Sequence, residues 1–261
     1  MEIHSDVLLV DDNAINQLVA QQILKKAGYT CEVVSSGEEA ISRLGRERYR
    51  LVLMDVQMPG LDGIETTRRI RSFPDEQPNS HVPIIAMTAY TTAEDRESCE
   101  NAGMNDYMTK PLQLDHFLTT VREHLESSSP SASGDQHDRP DDHDAHGSAS
   151  FDLEDALART GHDRALVERT VTMFLDSAAE RVHGITAACD REDFQKARNL
   201  AHNLQGAALN VSARNLARIS TRIEQASRAG DCVQAKDAVR DLEQELERVR
   251  TAVKDSGLLR A

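Results

Sequence analysis

The stretch Leu51–Gly63, LVLMDVQMPGLDG, decides the fold. An apolar run, Leu51-Val52-Leu53-Met54, ends in the carboxylate Asp55, and a turn follows through Met58, Pro59 and Gly60. Apolar residues in succession, without alternation, suit a strand buried on both faces, as in a parallel sheet covered by helices. Such sheets place their sites beyond the C-terminal ends of the strands. Asp55 therefore stands where chemistry is done, and it reads as a nucleophilic carboxylate.

The same grammar repeats outward from this stretch. Upstream, Asp6–Val10 (DVLLV) is a short apolar run stopped by Asp11-Asp12-Asn13. Ile15, Leu18, Val19 and Ile23 then recur at helical spacing, and Gly28 closes the helix. Cys31–Val34 predicts a second strand, and Ser36 with Glu39 is a capping-box signal for a helix through Leu44. Downstream come a helix over Leu61–Arg71 and a strand over Pro83–Met87 (PIIAM). Thr91 with Glu94 starts a helix that closes at Gly103, and Tyr107-Met108 is a short strand. A last helix carries Leu114, Phe117, Leu118, Val121 and Leu125. Strands and helices that alternate in this way predict an α/β domain with a parallel sheet.

The strand-end rule then selects Asp11 and Asp12, Asp55, Thr88 and Lys110. Three neighbouring carboxylates repel one another unless a cation sits among them. Hard oxygen ligands with room for water suit Mg²⁺, which would orient an incoming phosphoryl group and neutralise its charge. Lys110 adds a second positive centre and Thr88 a hydroxyl donor, which completes the parts for phosphoryl transfer to a carboxylate. Each residue alone has a plainer reading: Asp55 capping a turn, Thr88 bonding backbone, Lys110 as a surface charge. Their joint placement at the strand ends favours the chemical one.

Composition narrows the alternatives. The chain has 261 residues and a formal net charge of -14. Residues 1–126 hold 12 basic and 21 acidic side chains, so no basic footprint for nucleic acid or an anionic membrane is visible. Cys31, Cys99, Cys189 and Cys232 form no CxxC pair, which predicts a reducing, cytoplasmic setting without a disulfide framework or zinc. No apolar run approaches the ~18 residues of a spanning helix, and the first residues do not read as a signal peptide.

Residues 127–150, SSSPSASGDQHDRPDDHDAHGSAS, hold almost nothing apolar and predict a flexible linker. His137, His143 and His146 among aspartates give it at most a weak metal-chelating character. Beyond it the pattern is helical throughout. Val167, Val171, Phe174, Ala178, Val182 and Ile185 form one stripe, and a second helix spans about Asp193–Asn210. Ser212 offers a cap for a third helix, with Leu216, Ile219, Ile223 and Ala226 on one face and Gly230 after it. Val239, Leu242, Leu246, Val249 and Val253 form the seam of a fourth. Amphipathic helices with short joints predict an antiparallel bundle, with Leu153–Thr160 lying across one end.

Within the second of these helices, His202 has Arg198, Asn199, Gln205 and Gly206 as its helical neighbours, none of them apolar. It is therefore expected on the solvent face, where a neutral imidazole is a competent nucleophile. Gly206 costs about 1 kcal/mol relative to Ala inside a helix, and close approach of a partner is a reason for it.

Two resemblances sharpen this reading. LLVDDN, LVLMDVQMPGLDG, PIIAMTA and YMTKP make residues 5–126 similar to the receiver domain of two-component response regulators. That resemblance implies a flavodoxin-like, doubly wound sheet of order 2-1-3-4-5, with Asp55 as phosphoacceptor. It implies Asp12 and Asp55 as direct Mg²⁺ ligands, Asp11 acting through water, and the backbone carbonyl of Gln57 as a further ligand. Thr88 and Lys110 would contact the phosphoryl group, and the Lys110-Pro111 bond would be cis. A switch is implied too, in which Thr88 moves inward and Tyr107 rotates toward the vacated space. Ala89 would leave access to Asp55, and Gln57 and Tyr90 stand where the family tunes loss of the phosphoryl group.

The second resemblance rests on AHNLQGAALNVSARNLARISTRIEQASRAGD. It is similar to the histidine phosphotransfer domain, a four-helix bundle with an exposed acceptor histidine, here His202. One departure is Gln205, where the family commonly has Lys; it brings no charge, and Arg198 is the compensating candidate.

The expected organisation is a receiver over residues 1–126, a linker over 127–150 and a four-helix phosphotransfer bundle over 151–261. The expected function is a phosphorelay, with Asp55 phosphorylated by a sensor histidine kinase and His202 exchanging the group with Asp55 or with another receiver's aspartate. The linker is long enough for docking in cis. No nucleotide-binding glycine loop is visible, so the donor is expected in trans. The chain would be a phosphotransfer signalling protein rather than an enzyme, catalysing only its own phosphorylation and dephosphorylation. The alternative is a phosphorylation-switched binding module with a vestigial His202. A phosphatase with an Asp nucleophile would need a carboxylate two residues after Asp55, where Gln57 stands. The start of the chain close to its first strand leaves a longer hybrid kinase open.

Overall fold

The computed structural model describes residues 3–88, 93–126 and 149–259. The first part has strands β1 (Ile3–Val10), β2 (Cys31–Val34), β3 (Arg48–Asp55), β4 (Ile84–Thr88) and β5 (Asp106–Thr109). Between and after them run helices α1 (Ala14–Lys26), α2 (Gly37–Leu44), α3 (Gly63–Arg71), α4 (Ala93–Ala102) and α5 (Leu114–Glu126). All strand pairs are parallel, in the order β2-β1-β3-β4-β5.

Successive strand residues point to opposite faces, and both faces are covered. Val7, Leu9, Leu51, Leu53, Ile85 and Met87 pack with residues of α1 and α5. Leu8, Val10, Val52, Met54, Ile84 and Ala86 pack on the other face with residues of α2, α3 and α4. This double burial is why the strands read as unbroken apolar runs. β3 begins at Arg48 rather than Leu51, because Arg48 and Arg50 stay exposed while Tyr49 turns inward. Asn13, Ser36 and Asp62 each accept a backbone N–H from the first turn of α1, α2 and α3. Gly63 allows α3 to start against the end of β3: a Cβ there would collide with the Asp55 carbonyl oxygen. Thr91, Ala89 and Tyr90 lie outside the described residues, as do 127–148 with His137, His143 and His146.

The second part holds α6 (Leu153–Arg159), α7 (Arg164–Asp190), α8 (Phe194–Asn210), α9 (Arg214–Ala229) and α10 (Cys232–Asp255). The last four close a ring, α7 against α8, α8 against α9, α9 against α10 and α10 against α7. The stripes expected from spacing are buried inside it, from Val167 through Ile185 on α7 to Val239 through Val253 on α10. Ser212 corrects one expectation. It does not cap α9, whose N-cap is Ala213 without a side-chain bond. Its hydroxyl donates instead to Asp155 Oδ2 at 2.5 Å, tying α6 to the α8–α9 turn. Asp155 also accepts from Arg159 Nε at 2.7 Å and Arg214 at 2.8 Å, and these partners outweigh burial to hold its carboxyl below the usual range. Among the described residues no helix is long and apolar enough to cross a membrane.

The bundle sits on α1. Ile15, 1% exposed, belongs to the bundle's apolar cluster rather than to the receiver's own. Lys26 Nζ, at the far end of α1, meets Asp163 Oδ2, the N-cap of α7, at 2.6 Å.

Candidate functional site

β1 and β3 run in register, Val10 opposite Met54, so the residues just past their ends converge. Carboxylate oxygens of Asp11, Asp12 and Asp55 lie within 4.8 Å of one another. Asp11 and Asp55 are almost fully buried. From the end of β5, Lys110 Nζ bridges Asp11 Oδ2 at 2.8 Å and Asp55 Oδ2 at 2.7 Å. Asp11 is the most committed of the three, accepting also from Asn13 N at 2.8 Å and from Asn16 Nδ2 at 3.1 Å. Asp55 Oδ1 accepts from the backbone N–H of Gln57 at 3.2 Å.

Burial dominates the electrostatics here. It pushes the Asp55 carboxyl up to about 7, with Lys110 opposing and Asp11 adding to the rise. Asp12 is raised by burial and by Asp11, against the pull of Lys110. Burial works against the charge on Lys110 as well, but Asp11 and Asp55 outweigh it and hold the ammonium above the ordinary lysine range. Two carboxylate charges remain beyond what Lys110 neutralises, in an all-oxygen setting. That donor set fits a hard divalent cation.

Thr88 is buried at the end of β4, opposite Thr109, and its carbonyl accepts from Lys110 N at 2.7 Å. The Lys110-Pro111 bond is cis. Tyr107 is half-buried on β5, with the Arg96 guanidinium 4.7 Å from the centre of its ring.

His202 departs from its expected exposure: only 13% of its side chain is accessible. Helical spacing describes a residue's own helix and not what packs on it. Here α9 brings Glu224, itself buried, with Oε2 3.4 Å from His202 Nδ1. Arg198 Nε lies 4.0 Å from the other oxygen of Glu224. Gln205 does not face the acidic cluster with its donor; its Nε2 donates to Thr221 Oγ1 at 2.9 Å, toward α9.

Across from His202 stands α1. His202 is near enough to act electrostatically on both Asp12 and Asp55. Its neighbour Asn203 donates from Nδ2 to Asp12 Oδ2 at 2.7 Å. Asn13 Nδ2 donates back to Asn203, to Oδ1 at 3.0 Å and to the backbone carbonyl at 2.8 Å, while the Arg181 guanidinium also bonds Asn203 Oδ1. Two turns on, Asn210 Nδ2 donates to Asn16 Oδ1 at 2.6 Å. A Cβ on Gly206 would lie 3.4 Å from Asn16 Nδ2, so the partner for which this glycine leaves space is α1 of the same chain. Sequence reasoning missed Asn203, Asn210 and Glu224. Glu224 left a signal, an acid directly after Ile223 on the apolar stripe of α9; the two asparagines left none.

Residues 7–122 match the response regulator receiver domain and residues 169–252 match the Hpt domain. Histidine kinase 5 of Arabidopsis thaliana is 37% identical over 142 residues, covering 46% of this chain and 15% of its own length. Sensor protein GacS of Pseudomonas syringae pv. syringae is 43% identical over 106 residues, covering 41% of this chain and 12% of its own length. The chain thus spans only a small part of these relatives. Among solved structures, the receiver domain of sensor histidine kinase PA1611 from Pseudomonas aeruginosa PAO1 was determined with a magnesium ion coordinated in its active site cleft. It shares 39% identity, covers 47% of this chain and 98% of its own, and superposes with a TM-score of 0.44. Sheet order and helical bundle agree with the two matches: the chain carries a response regulator receiver domain followed by an Hpt domain.

Proposed function

We propose that Asp55 and His202 are consecutive stations of one relay, and that the phosphoryl group passes between them within the chain. The observation that carries this reading is the 2.7 Å bond from Asn203, next to His202, to Asp12 of the acidic cluster. It seats the histidine-bearing helix over the carboxylate that accepts the group.

A sensor histidine kinase, acting in trans, is the donor to Asp55. Transfer onward breaks the P–O bond to Asp55 and forms a P–N bond to His202 Nε2. Glu224, 3.4 Å from Nδ1, would hold the ring proton there and leave Nε2 as the nucleophile. Lys110 and the hydroxyl of Thr88 contact the phosphoryl oxygens, and departure of Thr88 from its resting place lets Tyr107 turn inward. Asp12, Asp55 and the Gln57 carbonyl would hold Mg²⁺, with Asp11 acting through water. The ion would supply charge neutralisation for the group in flight. Another receiver's aspartate is the alternative partner of His202.

The domain limits of this reading are 1–126 for the receiver, 127–150 for the linker and 151–261 for the bundle. The protein carries phosphoryl groups stoichiometrically rather than turning over a substrate, works in the cytoplasm, and uses neither nucleic acid nor a membrane as partner. The test is to load the full chain from a small phosphoryl donor with Mg²⁺ and separate alkali-labile acyl phosphate from acid-labile phosphohistidine over time. The expected result is label on Asp55 first and then on His202. Label that stays on Asp55 under every donor would leave a switch module without a relay.

A further inference from the structure

At the pole of the receiver opposite Asp55, four side chains from three strand starts meet. His4 lies on β1, Glu32 on β2, Glu47 in the bend before β3, and Tyr49 on β3. The β1–β3 register slips here: Ile3 stands opposite Arg48 and Ser5 opposite Tyr49, which leaves His4 as the extra, bulged residue. Bulges re-aim a side chain. This one aims the imidazole at two glutamates, with Nε2 3.1 Å from Glu32 Oε2 and 3.0 Å from Glu47 Oε2.

The glutamates are oriented as ligands would be. Arg43 lies on their outer oxygens, Nε 3.2 Å from Glu32 Oε1 and a terminal nitrogen 3.6 Å from Glu47 Oε1. Their Oε2 atoms therefore turn toward His4. Buried Tyr49 donates its hydroxyl to the same two atoms, at 2.6 Å to Glu32 and 3.2 Å to Glu47. Arg43, on the Oε1 atoms, fixes both carboxylates from behind, as a metal centre requires outside its first ring of donors, while Tyr49 shares the Oε2 atoms.

We propose that His4, Glu32 and Glu47 form a second metal site, for a zinc-class divalent transition metal, distinct from the Mg²⁺ cluster. The donor spacing carries it. Tetrahedral zinc with ligand bonds of about 2.0–2.2 Å holds neighbouring donors about 3.3–3.5 Å apart. The imidazole–carboxylate separations of 3.0 and 3.1 Å need only a few tenths of an ångström to open to that. Imidazole with carboxylates selects zinc over magnesium. The His4 side chain is 50% exposed, so solvent reaches the fourth position. A bound ion would staple β1, β2 and the entry to β3 at the end of the sheet that carries no phosphoryl chemistry.

The competing reading is a plain ion-pair network of His4, Arg43 and the two glutamates. Calorimetric titration of the full chain with Zn²⁺, at saturating Mg²⁺, separates the two. His4→Ala and Glu47→Gln are each expected to weaken one binding event by at least ~10-fold, and to abolish a Zn²⁺-dependent rise in thermal midpoint. His4→Cys, which keeps a ligand, should restore both. Other histidines are unchanged in these variants, so only the difference from the parent counts. Labelling of Asp55 in each variant reports that the receiver is folded. Titrations that superimpose on the parent in folded variants would overturn the site.

Discussion

The two proposed acceptors are housed in opposite ways. Asp55 is fixed by backbone: three strand ends bring two more carboxylates and one ammonium around it, with Asp11, Asp55 and the Lys110 side chain almost out of water and Asp12 half-buried. His202 is fixed by packing, on one turn of one helix, with Glu224 of the next helix against its ring. The difference follows from the chemistry of each nucleophile. A carboxylate attacking an anionic phosphoryl group needs its own charge and that of its target cancelled at once, which takes a cluster. An imidazole is neutral when it attacks and needs only to be aimed.

The sharpest way to break this comparison is Asp55→Asn. The change is nearly isosteric, so the sheet should remain while acyl phosphate falls below detection; labelling that survives would refute the assignment. Next in size is Lys110→Met in the metal-free protein. It leaves Asp11 and Asp55 without their shared cation, and loss of one partner from a buried ion pair costs about 3–5 kcal/mol. Chemical denaturation should show a loss of that order, largely recovered when Mg²⁺ is added. A receiver that tolerates the change without metal would mean that the cluster does not need its charge cancelled.

Asn203→Ala tests the aim of the histidine rather than its chemistry. Hydrogen bonds to a charged group contribute about 1.5–3 kcal/mol, so transfer from Asp55 to His202 should slow by ~10–100-fold while loading of Asp55 is unchanged. Equal transfer rates in both proteins would show that the seat is made elsewhere. Glu224→Gln should have a smaller effect, slowing transfer severalfold, because a carboxamide can still bond Nδ1 and keep the ring in place.

The two halves should also differ in their response to pH. The folded-state pKa of Asp55, about 7, lies above its unfolded value of 3.8. This group therefore stabilises the metal-free receiver fully below about pH 4, and its contribution is lost as pH rises toward 7. Asp155 in the bundle has a lowered folded value, so its contribution is present above 3.8 and lost as pH falls through that lowered value. Hydrogen exchange resolved by domain should show the metal-free receiver loosening toward neutral pH and the bundle toward acid. Mg²⁺ competes with the proton on Asp55, so its affinity should climb through pH 7.

How much of this was legible follows from the same contrast. A parallel sheet buries its strands on both faces, so runs such as Leu51–Met54 announce themselves, and the strand-end rule then finds Asp11, Asp12, Asp55, Thr88 and Lys110. Helix stripes such as Val167 to Ile185 were equally plain. What stayed hidden lies between elements. The cover on His202, the turn of Gln205 toward Thr221 and the use of Ser212 on Asp155 depend on neighbours far away in the chain. Asn203 looked like an unremarkable polar residue because its partners, Asp12 and Asn13, are 190 or so positions earlier.

Ile15 carries a consequence for traffic through the molecule. Its side chain is shared with the bundle core, so α1 is already occupied in the resting chain. A kinase or foreign receiver that needs the same face competes against a neighbour on the same polypeptide. A tethered competitor acts at an effective concentration on the order of millimolar, and its grip lowers an outsider's apparent affinity by the fraction of time α1 is free. On the relay proposed above, the bundle would be both the next carrier and the gatekeeper of the one before it, and weakening Ile15 would trade fidelity of the internal step for speed of the external one.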